Sequence, residues 1–126
     1  MPRSILIVED AETAAATLEI ALGNIPRVEI VRVPDGLRAL EYLAPGAGRR
    51  VDAVVTDLEM PFLDGYELIR RLRGQSQFQG LPIVVVSGSS DPGVRQRVLE
   101  LGADAYFPKP WSPQAVRDRV ERLLPP

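Results

Sequence analysis

The amino-acid sequence predicts an α/β protein in which a parallel sheet lies between two layers of helices. Five short apolar segments alternate with five helical patterns, at roughly 25 residues per strand–helix unit. The strand segments are apolar at almost every position, which is typical of parallel strands buried on both faces. Polar residues follow directly after several of these segments. Together these observations predict a doubly wound, five-stranded sheet with polar side chains at its carboxyl edge.

In the N-terminal half, three strand patterns alternate with two helical ones. The first strand pattern is followed at once by Glu9-Asp10, and the first helix pattern ends at Gly23. Charged residues alternate with apolar ones in the second strand, which predicts a position near the sheet edge. Asp35-Gly36 opens the second helix, and Asp57 follows the third strand. The segments are strands 5–8, 28–33 and 51–56, helix 12–22, and a helix from Gly36 to Pro45-Gly46 with Leu37, Leu40 and Leu43 on one stripe.

In the C-terminal half, each helix pattern begins with a recognisable capping or first-turn residue. Asp64 precedes the third helix, and Glu67 at its third helical position resembles a capping box. Pro92 suits the first turn of the fourth helix, and Ser112-Pro113 begins the fifth. The segments are a helix ending at Gly74, strand 81–86, the polar turn Ser87-Gly88-Ser89-Ser90, a helix from Asp91-Pro92 to Leu101-Gly102, strand 103–107, and a helix ending at Pro125-Pro126 with Val116, Val120 and Leu123 facing the core.

Composition excludes several classes of function. The 126 residues are long enough for one domain, residues 1–126, with a real core. A net charge of −2 argues against a nucleic-acid-binding surface. The chain has no cysteine and no histidine, so any bound metal must be a hard cation with oxygen ligands, such as Mg²⁺. No apolar stretch approaches the roughly 20 residues of a membrane span, and the N-terminus lacks a signal-peptide pattern. We therefore expect a cytoplasmic protein.

The predicted carboxyl edge of the sheet gathers charged and hydroxyl groups. Glu9, Asp10, Asp57, Ser87 and Lys109 all follow strand segments, and Lys109 is the single lysine among 15 lysines and arginines. Each residue alone fits an ordinary turn or helix start. Crowded carboxylates, however, raise each other's pKa and destabilise the fold unless a cation neutralises them. Three acids with one lysine therefore predict an Mg²⁺ site, beside which an ionised aspartate can attack phosphorus without a histidine base.

Four segments of the chain resemble the motifs of the response-regulator receiver domain, in the CheY-like superfamily. The matching segments, in chain order, are residues 5–10, 56–65, 86–88 and 102–110. The resemblance implies a flavodoxin-like (βα)5 fold with strand order 2-1-3-4-5. It also implies that Asp57 is the phosphoacceptor. Mg²⁺ would then be bound by Asp10, Asp57 and the backbone carbonyl of Glu59, with Glu9 acting through water.

The resemblance also assigns roles around the phosphoryl group. Ser87 would contact the phosphoryl group and Lys109 would pair with it. Tyr106 would be the aromatic switch that moves together with Ser87, and we expect the Lys109–Pro110 peptide to be cis. Glu9 and Ser87 depart from the more common aspartate and threonine, yet they keep a carboxylate and a hydroxyl.

The implied function is a signalling switch that catalyses only its own phosphorylation and dephosphorylation. Its phosphodonor would be a sensor histidine kinase or a histidine phosphotransfer protein. Its output would be a protein bound at the surface of the fourth helix, fifth strand and fifth helix, without direct contact to nucleic acid or membrane. Two alternatives stay open: a pseudo-receiver adaptor that acts without phosphorylation, and a haloacid-dehalogenase-type phosphatase, whose signature Asp57-Leu58-Glu59 imitates weakly.

The last two helices also carry a cluster of arginines with few balancing acids. A solvated charged face explains such a cluster most simply. The alternative is a docking surface for an acidic partner or for a second copy of the chain, as in a homodimer. The cluster consists of Arg95, Arg97, Arg117, Arg119 and Arg122.

Overall fold

Strands and helices alternate along the whole chain in the computed structural model, which describes residues 2–88 and 91–126. Met1, Ser89 and Ser90 lie outside the described residues, so half of the predicted polar turn does too. A short 3-10 helix, Ser76–Phe78, lies between the third helix and the fourth strand. The elements are β1 (Arg3–Val8), α1 (Glu12–Gly23), β2 (Val28–Val33), α2 (Gly36–Tyr42), β3 (Ala53–Thr56), α3 (Gly65–Arg73), β4 (Ile83–Ser87), α4 (Val94–Leu101), β5 (Ala105–Pro108) and α5 (Pro113–Leu123).

The five strands form one parallel sheet in the order β2-β1-β3-β4-β5, which confirms the predicted fold class. Strand β2 lies at one edge, as its alternating charges predicted, and β5 lies at the other. Val8 at the end of β1 pairs with Thr56 at the end of β3. This register brings the residues that follow the two strands side by side at the carboxyl edge.

Two separate hydrophobic cores cover the two faces of the sheet. One contains Leu6, Val54 and Val85 from the strands and packs under α2, α3 and α4. The other contains Ile7, Val55 and Val86 and packs under α1 and α5. Alternate residues of each strand thus enter opposite cores, which is why the strand segments read as continuously apolar. Among the described residues, no helix combines the length and the apolar character that crossing a membrane would require.

Three strands begin two residues later than predicted, because side chains or a proline replace the ladder at their starts. The Asp52 carboxylate accepts a hydrogen bond from the Ser4 N–H at 2.8 Å, so β3 begins only at Ala53. Asp104 accepts from the Ile83 N–H at 2.8 Å in the same way, just before β5. Pro82 has no N–H to donate before β4. Strands β4 and β5 also extend one residue further, to Ser87 and Pro108.

Three details of the predicted helices are also wrong. Leu40 and Leu43 of the predicted stripe pack in the core, but Leu37 is 39% exposed. Gly36 and Ala39 form the buried face of α2 instead, because Gly36 packs directly against the Leu63 backbone. Helix α4 begins at Val94 rather than at Asp91-Pro92, since Asp91 accepts from the Gly93 N–H at 2.9 Å in a preceding turn. The capping box before α3 is only half formed. Asp64 accepts from the Glu67 N–H at 2.9 Å, but the Glu67 carboxylate pairs with Arg70 and Arg71.

Candidate functional site

Three carboxylates meet at the carboxyl edge of the sheet, where β1 and β3 end side by side. Glu9 and Asp10 follow β1 and Asp57 follows β3. Each offers a carboxylate oxygen, and the three oxygens lie within 4.8 Å of one another. Glu9 is 7% exposed, whereas Asp57 is half-buried and Asp10 is exposed. The structure therefore brings together all three acids that the sequence placed at this edge.

Backbone hydrogen bonds fix the position of Asp57. Its own N–H donates to the Val8 carbonyl at 3.0 Å, which continues the ladder between β1 and β3 by one residue. Its Oδ1 accepts from the Leu58 N–H at 2.6 Å and from the Glu59 N–H at 3.5 Å. These contacts hold one carboxylate oxygen in place, so the loop after β3 presents Asp57 to the site in a defined orientation.

Burial makes the acidic cluster electrostatically unfavourable without a cation. Burial, opposed by the Ala11 N–H and reinforced by the neighbouring Asp57, raises the pKa of Glu9 from 4.5 to about 7. Burial also raises the pKa of Asp57, although the N–H groups of Leu58 and Glu59 favour its charged form. Near neutral pH, Glu9 in the metal-free cluster is therefore partly protonated.

This pKa shift predicts how the stability of the metal-free protein depends on pH. A carboxyl whose pKa is raised on folding stabilises the fold below its unfolded pKa and loses that contribution as pH rises through the folded value. In chelator, the free energy of unfolding should fall by about 1–3 kcal/mol between about pH 4.5 and pH 7 because of Glu9. Urea unfolding of the parent and Glu9→Gln across this range measures the difference. Parallel pH profiles for the two proteins would contradict the prediction.

A cavity of about 170 Å³ opens beside Asp57 and joins the ends of β1, β3, β4 and β5. Ser87 at the end of β4 is 2% exposed, whereas Lys109 after β5 is exposed. The Lys109 N–H donates to the Ser87 carbonyl at 2.7 Å, and the Lys109–Pro110 peptide is cis. The cavity is lined by Glu9, Ala11, Ala14, Asp57, Glu59, Val86, Ser87, Gly88, Lys109 and Trp111.

Two predicted site residues lie outside the cavity wall. Asp10 contributes to the acidic cluster but does not line the cavity. Tyr106 pairs in register with Val85, and its side chain lies 7% exposed in the core beneath α2, α3 and α4. Ser87 lies two residues after Val85 in β4, and side chains two residues apart point to the same face of a sheet. The Ser87 side chain therefore lies on the same face as Tyr106. The two predicted switch residues are therefore neighbours on one face.

Sequence reasoning missed Trp111, the single tryptophan of the chain. It lines the cavity together with Asp57 and Lys109. The feature of the sequence that could have indicated Trp111 is its place two residues after Lys109, in the loop that follows β5. Trp111 provides an intrinsic fluorescent reporter at the site.

Comparisons with known proteins agree with this geometry. The sequence profile described as "Response regulator receiver domain" matches residues 5–121. The rice protein "Two-component response regulator ORR11" (Oryza sativa subsp. indica) is 33% identical over 98% of this chain and 82% of its own length. "Response regulator MprA" of Mycobacterium sp. (strain KMS) is 38% identical over 98% of this chain, which spans about half, 51%, of MprA.

A solved structure shows the same fold. The signal receiver domain of a signal transduction histidine kinase from Syntrophus aciditrophicus superposes with a TM-score of 0.85 at 35% identity, covering 97% of this chain and 89% of that one. The family profile extends across β1 to α5, and the acids, hydroxyl and lysine that carried the resemblance meet at one edge of the sheet. The chain therefore belongs to the response regulator receiver domain family of two-component signal transduction.

Proposed function

We propose that residues 1–126 form a single receiver domain that accepts a phosphoryl group on Asp57 and thereby switches a protein-binding surface. The observation that carries this proposal is the convergence of three carboxylates within 4.8 Å beside a cavity that Ser87 and Lys109 also line. Carboxylates that can bind a cation, and a lysine and a hydroxyl that can bind an anion, thus surround the half-buried Asp57. Phosphoryl transfer needs this combination, because its catalysis is largely positioning and charge stabilisation.

The donor set suits Mg²⁺. It consists of carboxylate oxygens, the ligands that a hard divalent cation prefers. Asp10, Asp57 and the backbone carbonyl of Glu59 would hold the ion directly, and Glu9 would hold it through water. When bound, Mg²⁺ would neutralise negative charge on the phosphoryl oxygens and on the crowded acids. Cation binding would also relieve the unfavourable burial of Glu9.

The chain's own residues account for the transfer step. A carboxylate oxygen of Asp57 attacks phosphorus, a new P–O bond forms, and the P–N bond of the donor phosphohistidine breaks, with its electron pair passing to the leaving imidazole. Asp57 reacts ionised, so no general base is needed. The Lys109 ammonium pairs with a phosphoryl oxygen, and the Ser87 hydroxyl donates a hydrogen bond to another.

The output is a change in the surface formed by α4, β5 and α5. Ser87, drawn toward the phosphoryl oxygens, leaves space that Tyr106 can enter from its buried position on the same sheet face. The phosphoryl group shifts this two-state equilibrium by its differential interaction with the two states. A sensor histidine kinase or a phosphotransfer protein would supply the phosphoryl group, and a downstream protein would read the surface. The domain would catalyse only its own phosphorylation and dephosphorylation.

Incubation with acetyl phosphate tests this function. In the presence of Mg²⁺ the protein should gain the mass of one phosphoryl group, on the peptide that contains Asp57, and chelator should prevent the gain. Mg²⁺ alone should change Trp111 fluorescence, which reports cation binding without any reaction.

A protein that stays unmodified yet binds partners would be a pseudo-receiver adaptor. Steady release of phosphate from a generic phosphomonoester would indicate a phosphatase. Either result would overturn the proposal.

Lys109→Arg should lower the rate of phosphorylation by acetyl phosphate about tenfold or more while preserving stability. The lysine stem passes close to Gly88, with Cδ 3.8 Å from the position a Gly88 Cβ would occupy. A planar guanidinium spreads its charge over a wide fork and does not reproduce the compact point charge of the ammonium. The reverse exchange at an exposed position of α5, Arg122→Lys, is the matched control and should phosphorylate normally. Equal rates for Lys109→Arg and the parent would show that any cation suffices.

A further inference from the structure

Helix α4 is anchored to the domain by few buried side chains. Val94 and Val98 are the two buried residues of α4, as many as in α2 and α5 and half as many as in α1 and α3. Its N-cap, Gly93, provides no side-chain hydrogen bond. Contacts beside the Val94–Val98 stripe can therefore add to what holds α4 in position.

Arg95 and Arg97 supply such contacts, one on each side of the stripe. At 100° per residue, they lie on opposite flanks of the line through Val94 and Val98. The Arg95 guanidinium lies 5.3 Å from the Tyr106 ring centroid in β5. The Arg97 guanidinium lies 3.9 Å from the centroid of Tyr66, which belongs to α3. Both distances are within the range of a cation–π interaction. The two arginines therefore connect α4 to β5 on one side and to α3 on the other.

The arginine cluster of the last two helices therefore has distinct members. Arg117, whose side chain is 21% exposed, pairs with Asp118 and Glu121 along α5. Arg95 and Arg97 instead cover tyrosine rings. The sequence pattern could not separate these roles, because the aromatic partners lie 11 and 31 residues away along the chain.

Arg95 contacts the ring of Tyr106, on whose position the proposed switch depends. Tyr106 is 7% exposed and belongs to the same buried cluster as Val94 and Val98. Arg95 itself is exposed and extends over that ring. The ring cannot turn away from the guanidinium without losing this contact. The contact therefore favours the position in which Tyr106 is found.

We propose that Arg95 is a positioning residue for Tyr106, whose guanidinium biases the ring toward its present position and so sets the balance of the switch. This inference rests on the proposed function, in which Tyr106 exchanges between two positions. Loss of a cation–π contact at an exposed site changes an equilibrium constant about two- to fivefold. Arg95 thus sets how readily the unphosphorylated domain adopts the switched state.

Fluorotyrosine labelling tests the positioning directly. The chain has three tyrosines, so three fluorine resonances are expected, and Tyr106→Phe assigns the relevant one. Arg95→Met keeps a long unbranched side chain but removes the charge. It should shift the ring equilibrium of Tyr106 by two- to fivefold in the unphosphorylated protein. Arg95→Lys retains a cation and should restore part of the parent spectrum.

Two control variants separate this role from a general loss of surface charge. Arg122→Met removes an exposed arginine of α5 and should leave the Tyr106 resonance unchanged. Arg97→Met should perturb Tyr66 more than Tyr106, because its guanidinium covers that ring. The inference is overturned if Arg95→Met behaves like Arg122→Met, or if Arg95→Lys shifts the Tyr106 equilibrium as far as Arg95→Met.

A second readout links the ring to phosphorylation. If the displaced ring belongs to the switched state, Arg95→Met should be phosphorylated by acetyl phosphate about two- to fivefold faster than the parent. An unchanged rate in a variant with a displaced ring would overturn the link to the switch. If the parent accepts no phosphoryl group at all, the proposed function fails, while the spectra still report whether Arg95 holds Tyr106.

Discussion

Asp57→Asn should abolish Mg²⁺-dependent phosphorylation by acetyl phosphate. The amide carries no charge and is a poor nucleophile, and its nitrogen cannot coordinate the cation. The Leu58 and Glu59 N–H groups can still donate to the side-chain oxygen, so the loop after β3 should keep its shape. The expected result is therefore a folded protein without phosphoryl incorporation, measured by intact mass.

The same substitution should stabilise the metal-free protein. It removes a half-buried charge next to Glu9, whose pKa Asp57 helps to raise. We expect the free energy of unfolding in chelator to rise by about 1–2 kcal/mol near neutral pH. Mg²⁺ should stabilise the parent more than the variant, since the variant has lost one negative charge at the acidic cluster. Urea unfolding with and without Mg²⁺ measures both effects.

Asp118→Asn is the matched control for both measurements. Asp118 lies on α5, where its half-exposed carboxylate pairs with Arg117 away from the acidic cluster. The Asp118→Asn protein should be phosphorylated like the parent, and its free energy of unfolding in the presence of a chelator should not rise. Undiminished phosphorylation of Asp57→Asn would place the phosphoacceptor elsewhere. An equal gain in stability for the two variants would show that net charge, rather than the acidic cluster, is responsible.

Gly65→Ala should destabilise the domain by about 3 kcal/mol or more and impair phosphorylation as well. A Cβ at position 65 would lie 2.3 Å from the Asp57 carbonyl oxygen and 2.8 Å from the Leu58 Cα. Both atoms belong to backbone, which cannot move aside as a flexible side chain can. The Gly65 N–H also donates to the Leu58 carbonyl at 2.9 Å, so α3 begins in direct contact with the loop that carries Asp57.

Helix propensity acts in the opposite direction but is too small to prevail. Alanine is more favourable than glycine at a helical position by about 1 kcal/mol. This gain is smaller than the free energy that the steric overlap is expected to cost. Gly23→Ala, in the last turn of α1, is the matched control because a Cβ there meets nothing within 4 Å. Urea unfolding should show Gly23→Ala as stable as the parent or slightly more stable. A Gly65→Ala protein with parent stability would mean that the loop after β3 can shift without loss.

Local patterns were sufficient to predict the alternation of strands and helices and the acids that follow them. Ile5–Val8 is apolar throughout because its side chains enter both cores, and this is visible in four consecutive letters. The exposure of Leu37 was not visible, since it depends on the close approach of Gly36 to Leu63, a contact between segments 27 residues apart. The late starts of β3 and β5 likewise depend on Asp52 and Asp104 accepting hydrogen bonds from neighbouring strands.

The sequence by itself determined the fold class, the family resemblance and the chemical identities of the candidate site, because periodicity and motif order are local properties of the chain. Only the tertiary structure decided which side chains meet. It brought Glu9, Asp10 and Asp57 within 4.8 Å, added Trp111 to the cavity wall, and placed Arg95 over Tyr106. Contacts of this kind depend on strand register and helix packing between distant segments, and no single segment of sequence carries that information.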